Sequence, residues 1–464
     1  MMVMKFGGAT LKDAAAVRNV LRIVSDRLKL GPLLVVSAMG KTTRRLLNAA
    51  ESAASGKSGP AMDALTEIRR GHETTARALM TDWSESQEAA RVHHWFEELE
   101  RLLGGIAVLG ELSPQSQDKV LSYGELLSSI LMCGALRRSG IDADWHDSRQ
   151  LVLTDDRFTR ARCLEEESSG RIREAVFGSV ERGRVPVLQG YIGATRHGIT
   201  TTLGFEGSDY TAALTGAAAG VSEIQIWKDV PGIMTADPER VPGVLTVKSV
   251  SYREAAELTF WGARVLHPKA VEPAVRCGIP IRIAHTARPD AAGTIVSVEE
   301  TAGRNRIKSI SFRTPVTWVR LTCAESPGWN LLSRAVLEAE KAGIELGLAA
   351  AAGHSLSLTF TPGPGTDSFL ESLSRIGSPV IRTKRAAVAL VGAGLDADRE
   401  GLSERIGGTL DRADEGFFCG VSPVSCVLIV AADAVEDRVK RLHRHFFSDP
   451  DPALFEFTPD GGRP

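Results

Sequence analysis

The segment TTTLGFEGSDYTAAL, Thr200 to Leu214, crowds hydroxyls, two glycines and a carboxylate into the entrance of a small-residue run that reads as a helix. A helix N-terminus presents free N–H groups and partial positive charge, so this composition suits a phosphorylated ligand. Ser208 and Asp209 are the candidates there. In MKFGGAT, Lys5 near a strand end is followed by Gly7 and Gly8, which brings a cation and two close-approaching backbone N–H groups together. SAMGKTTRRLL invites a P-loop reading at Gly40-Lys41-Thr42, but that motif needs glycine where Val35 stands. What remains is a small-residue turn with Thr42 and Thr43 at a helix start. In SYGELLSS, Glu125 sits near a helix start, where a glutamate ordinarily serves as a favourable capping charge. In IQIWKDVPGIMTADPERV, a strand ends at Lys228 and a tight Pro-Gly turn follows. The loop beyond carries Asp229, Met234 and Asp237 and suits a purine base with its phosphates, or forms a structural hairpin.

These residues need a scaffold that collects strand ends. Ligands of open α/β sheets gather at the carboxyl ends of strands. MVMKFGG reads as a strand, and LKDAAAVRNVLRIVSDRLKL as an amphipathic helix with Val17, Val20, Leu21, Val24 and Leu28 on one face. PLLVVSAMG reads as a strand covered on both sides. Residues 61–103 are polar, Glu-rich and helical, and DKVLSYGELLSSILMCGALRRSG is a helix with Gly140 as its C′ residue. VPVLQGY, EIQIW and IPIRIAH supply further strands, an alternation that implies a mainly parallel α/β sheet. A polar, turn-rich stretch near 285–310 marks a domain boundary. Two similar small α/β modules follow, which suggests a sensor attached to an enzyme. The end of the chain, 451–464, reads as a loose tail.

Bulk composition bounds the function. The chain has 464 residues, too many for one ordinary core, with 24% charged and 43% hydrophobic residues and a net charge of -2. That balance gives no basic field for nucleic acid. The six cysteines are scattered without a C-x-x-C pair, which fits a reducing cytoplasm rather than a zinc or disulfide framework. No signal peptide is expected in MMVMKFGG, and no apolar run approaches the ~18 residues of a membrane span. The remaining histidines, His93, His94, His443 and His445 among them, lack metal-ligand spacing and read as surface residues.

Taken in order, KFGG, SAMGKTT, SYGELLSS, TTTLGxxGSDYTAAL, IWKDVPGIMTADP and SYREAAELTFWGARVLHPKAV closely resemble the aspartate kinases of the amino acid kinase family. The resemblance covers almost the whole chain, and the trailing modules look like paired ACT domains. It implies a three-layer α/β sandwich of the carbamate kinase-like type at 1–290 with a mainly parallel sheet. Two ferredoxin-like α+β ACT domains would follow at 308–385 and 386–450. It also implies transfer of the γ-phosphoryl group of ATP, with Mg2+, to the side-chain carboxylate of L-aspartate, the first step toward lysine, threonine and methionine. Under the same resemblance Lys5 and Asp209 are catalytic, with Ser208 capping the helix beside Asp209. Thr42 and Glu125 hold aspartate. Gly7, Gly8, Lys228, Asp229, Met234, Arg240 and Arg264 hold the nucleotide. A lysine or threonine effector, and a homodimer or higher homo-oligomer, are implied partners.

The departures from the family pattern set further expectations. Phe205 stands where the family carries an arginine for the substrate α-carboxylate; either Arg44 (or Arg45) replaces it, or both face solvent. Ala9 replaces a hydroxyl residue that Thr10 can substitute for, and Glu239 replaces an arginine for which Arg240 can stand in. The first sensor module keeps Gly328 but lacks the acidic residue of effector sites, which weakens the case for inhibition by lysine or threonine. Two other functions stay open: a related kinase for another carboxylate, and a non-catalytic regulatory subunit.

Overall fold

A computed structural model describes the chain except for residues 264–265, 300–306, 396–403, 408–415, 420–421 and 458–464. It divides into one unit of Met1–Gly232 with Leu266–Val298, and a second of Ile233–Val265 with Glu299–Arg463. The loop after Gly232 and the helix Tyr252–Phe260 therefore cluster with the C-terminal unit, although the sequence places them within 1–290.

In the first unit the strands run in the order Thr294–Ser297, Ile281–His285, Glu223–Lys228, Met2–Phe6, Pro32–Val36, Val185–Gln189, Ala143–Trp145. The pairings are parallel except for that of Thr294–Ser297 with Ile281–His285, which is antiparallel. Side chains alternate across a strand. Met2, Met4 and Phe6 thus share one core with Val17, Val20 and Val24 of the helix Ala14–Ser25 and with Met132 and Leu136 of the helix Pro114–Arg138. Asp13 starts the first of these helices by accepting the Ala16 N–H. Because that helix ends at Ser25, Leu28 falls outside its apolar face and is exposed, and Ile23 is buried in its stead. Lys5 points to the opposite side of the sheet, toward the helix Gly207–Ala219. There Gly216 permits a close approach: an added Cβ would lie 2.7 Å from Ile224 Cδ1.

The helices Thr42–Ala54, Ser58–Leu79, Gln87–Leu109 and Pro114–Arg138 bury a further core containing Leu65, Ile68, Trp95, Phe96 and Tyr123. Pro114–Arg138 is capped by Ser113 with proline at its start, and Gly140 beyond its end has φ +82°. It is long and apolar enough to cross a membrane, but its apolar window is 94% buried inside the protein.

The second unit carries an antiparallel sheet in the order Leu346–Ala352, Ser355–Phe360, Ile307–Thr322, Ser378–Gly392, Ser425–Ala431, Gly416–Cys419. This supplies the strands missing from each module. The long strand Ile307–Thr322 serves both: Ile307–Arg313 pairs with Ala387–Gly392, and after a register shift Thr317–Thr322 pairs with Ser355–Phe360. A boundary at 308 therefore misassigns the first part of that strand, which belongs beside the second module. Residues 451–457 are likewise not a loose tail. Leu454 and Phe455 are buried, and Phe455–Glu456 pairs with Thr246–Val247. Most of the second module's expected helix at 400–414 lies outside the described residues.

Candidate active site

Lys5 Nζ lies 2.5 Å from Asp209 Oδ1, and both residues are buried. Two local features produce the meeting. Strand alternation turns Lys5 away from Met4 and Phe6, and the helix Gly207–Ala219 places Asp209 in its first turn. Burial pushes the Asp209 carboxyl upward, but the charges of Lys5 and Lys228 and the Lys5 hydrogen bond outweigh it, so the group stays below its ordinary range. It is therefore an anion paired with Lys5 and further favoured by the charge of Lys228.

Gly7 and Gly8 follow directly after the strand, where the chain turns into the short helical turn Gly8–Leu11. A Cβ on Gly7 would lie 3.8 Å from Lys5 Nζ, and one on Gly8 would lie 2.6 Å from the Gly40 carbonyl oxygen. Gly40, at φ +57°, donates its N–H to the Gly8 carbonyl, which locks the two turns together. Thr10 donates its hydroxyl to the Gly7 carbonyl at 2.7 Å. Across this turn, the Ala38 N–H reaches Glu125 Oε1 at 3.3 Å. Glu125 sits well inside the helix Pro114–Arg138 rather than at its start, so it is not a capping charge. Burial pushes its carboxyl up to about 8 against the hydrogen bonds from Ala38, its own N–H and the Thr43 hydroxyl. Its Oε2 is buried without a partner among the described residues. A buried carboxyl oxygen without a partner is uncommon in folded proteins and marks Glu125 as a candidate binding group.

Several sequence assignments change in this setting. The hydroxyls of the opening segment serve the fold: Thr202 donates its N–H and hydroxyl to the buried Asp118, and Thr201 shares a 2.8 Å bond with Thr154. Asp118, which carries no motif signal, also accepts the Thr159 N–H and so fixes this strand. Thr42 donates to the Met39 carbonyl at 2.6 Å, and it is the Thr43 hydroxyl that favours the ionised form of Glu125. Ser208 does not cap its helix; Glu206 is the N-cap residue, and its side chain makes no capping bond to the helix's own N–H groups. Ser208 packs instead on Gly190, where an added Cβ would lie 2.5 Å from the serine Cβ. Phe205 is 84% exposed, and Arg44 and Arg45 are exposed on the helix Thr42–Ala54.

Lys228 ends the strand beside Met2–Phe6, and its carbonyl accepts from Thr286, while Asp229 accepts from His285 Nε2 through its own carbonyl. Met234 and Arg240 lie in the second unit. There the Met234 carbonyl accepts from Ser309, and Arg240 pairs with Asp237 and Glu436. Arg264 lies outside the described residues. Among the described residues, no three His, Cys, Asp or Glu side chains gather as a metal cluster. His443 is not a surface residue: it is buried and bonds Thr235.

A family model described as the amino acid kinase family matches residues 1–285. Lysine-sensitive aspartokinase 3 of Escherichia coli K12 is 32% identical over 465 residues, covering 96% of this chain and 99% of that protein. Aspartokinase 3, chloroplastic, of Arabidopsis thaliana is 32% identical over 463 residues, covering 96% and 81%. Among solved structures, E. coli aspartokinase III with aspartate and ADP (R-state) superposes with a TM-score of 0.81 at 28% identity, covering 96% of this chain and 100% of that one. Its T-state complex with lysine and aspartate superposes at 0.77 and 30% identity, covering 96% and 99%.

Proposed function

Because the chain belongs to the amino acid kinase family and, within it, to the aspartokinases, we propose that it transfers the γ-phosphoryl group of ATP to the side-chain carboxylate of L-aspartate, giving 4-phospho-L-aspartate and ADP. The observation that carries this reading is the buried Lys5–Asp209 pair beside Gly7 and Gly8. A carboxylate nucleophile is already ionised at neutral pH, so no general base is required. An aspartate Oδ attacks the γ-phosphorus while the bond to the β–γ bridging oxygen breaks, and ADP carries away that electron pair. Catalysis then consists of alignment and of neutralising charge on the phosphoryl oxygens.

Lys5 supplies the ammonium, and Asp209 fixes it in place; the nucleotide enters as its magnesium complex. Gly7 and Gly8 allow the phosphates close to the backbone, and Lys228 with Asp229 lies on the nucleotide side. Glu125, supported by Thr43, receives the substrate ammonium, with Thr42 and Ser208 shaping the walls. An amino-acid effector at the ACT modules belongs to the same proposal, since lysine is bound in the E. coli T-state structure. A hydroxamate assay for the acyl phosphate, repeated with lysine and threonine, measures both activity and regulation. Asp209→Asn is expected to cut kcat by roughly 10²–10³-fold in a folded protein; wild-type turnover in that variant sinks the reading. A second reading, transfer to a different carboxylate, is favoured by Phe205 at the α-carboxylate position, and glutamate and amidated aspartate in the same assay discriminate it.

A further inference from the structure

Glu206 has backbone angles that its residue type disfavours. It adopts φ 55° and ψ 24°, the left-handed region, as the N-cap of the helix that carries Asp209. A side chain raises the energy of that conformation, and glycine is the usual occupant. Its carbonyl accepts the N–H groups of Asp209 at 2.9 Å and Tyr210 at 3.2 Å, so its backbone sets the direction in which the helix leaves the turn. The turn is tight on both sides: Gly207 donates to the Gly204 carbonyl, and an added Cβ on Gly207 would lie 2.9 Å from Leu203 Cβ.

The glutamate side chain is also engaged. Oε2 accepts the backbone N–H of His267 at 2.7 Å. His267 is the N-cap residue of the helix Pro268–Arg276, which packs against the helix Gly207–Ala219. The neighbouring Phe205 ring meets the His267 ring edge-on at 6.0 Å. Two adjacent residues of the turn therefore grip one residue of the facing helix, by a charge-assisted bond and by a ring contact. Glycine at 206 would satisfy the backbone but could not make that bond.

We infer that Glu206 is a positioning residue for phosphoryl transfer: its carboxylate, tied to the His267 N–H, holds the start of the Asp209 helix so that Asp209 stays on Lys5. The inference rests on the proposed role of the Lys5–Asp209 pair. A small displacement of Asp209 moves the Lys5 ammonium off the transferring phosphoryl group, where a shift of about 1 Å can cost ~100-fold in rate.

The test compares Glu206→Gly, Glu206→Ala and Glu206→Gln, measuring thermal midpoint, kcat, and KM for ATP and aspartate. Glycine removes the backbone strain and the carboxylate together, so it separates the two roles. Expected is a fall in kcat of roughly 10- to 100-fold in Glu206→Gly, with an undiminished thermal midpoint and KM values within about twofold, because the loss is confined to alignment. Glu206→Gln keeps an oxygen acceptor and should recover most of the rate. Wild-type kcat in Glu206→Gly, or Glu206→Gln no better than Glu206→Ala, overturns the inference. Asp209→Asn, run alongside, separates the levels: if it turns over normally the underlying reading fails, and if it is inactive while Glu206→Gly is fully active only the positioning role fails.

Discussion

If Glu125 receives the substrate ammonium, as proposed, it couples substrate binding to pH in a way that one titration can check. Its carboxyl is buried and pushed up to about 8, so the free site is mainly protonated at neutral pH. An incoming ammonium needs the carboxylate, and binding must therefore expel a proton. If the ionised fraction alone limits binding, the apparent KM for aspartate scales as one plus the ratio of protonated to ionised Glu125. It then falls about 50-fold between pH 6 and pH 8 and levels off above that, while kcat at saturation stays flat. Glu125→Gln is neutral at every pH. At pH 8.5 it should raise KM by roughly 10- to 150-fold, the loss of a charge-assisted bond. At pH 6 the variant and the wild type should converge, because the wild type is then uncharged as well.

The same group leaves a mark on stability. Its folded-state value lies above the ordinary 4.5, so the stability it contributes is fully present below 4.5 and is lost as pH rises through about 8. Glu125→Gln should consequently be more stable than the wild type at pH 8.5, by up to about 5 kcal/mol of linkage and so with a higher thermal midpoint, and show no gain near pH 4. The assay is initial-rate hydroxamate formation across pH 6–8.5 with both proteins, beside melting curves at the same pH values. A wild-type KM that is flat from pH 6 to 8, or a Glu125→Gln KM with the wild-type pH profile, refutes the assignment.

If Arg44 supplies the guanidinium that Phe205 cannot, Arg44→Ala raises the aspartate KM by roughly 10-fold or more; an unchanged KM in steady-state kinetics leaves its exposed side chain to solvent. In the second unit, Lys308 and Glu254 form a 3.0 Å ion pair with almost no solvent exposure. Lys308→Met should destabilise by about 3–5 kcal/mol in denaturant melts, with partial recovery when Glu254→Gln is added. A loss below about 1 kcal/mol would contradict that burial. His72 is buried against Phe96, and burial lowers it to about 4. Stability from keeping it neutral is full above pH 6.5 and drains as pH falls toward 4, by about 3 kcal/mol. His72→Leu should flatten that acid limb, and a limb identical to the wild type refutes the assignment.

Much of the site was legible in the chain because strand-end residues obey local rules. A two-residue period turns Lys5 away from Met4 and Phe6, and the small-residue run after Gly207 marks the helix that carries Asp209. Glycines at 7, 8 and 40 signal a close turn before any coordinate is known. The opening hydroxyls show the limit of such rules: whether Thr201 and Thr202 face a ligand or Thr154 and Asp118 depends on a strand 47 residues and a helix 84 residues earlier in the chain. The same holds for Thr43 rather than Thr42, for the left-handed Glu206 displacing Ser208 as the cap, and for the strand Ile307–Thr322 shared by two modules. Local sequence determined the periodicity, the turns and the types of the reacting groups. Tertiary structure alone decided which of them meet and how they ionise, because burial and pairing are properties of neighbours distant along the chain.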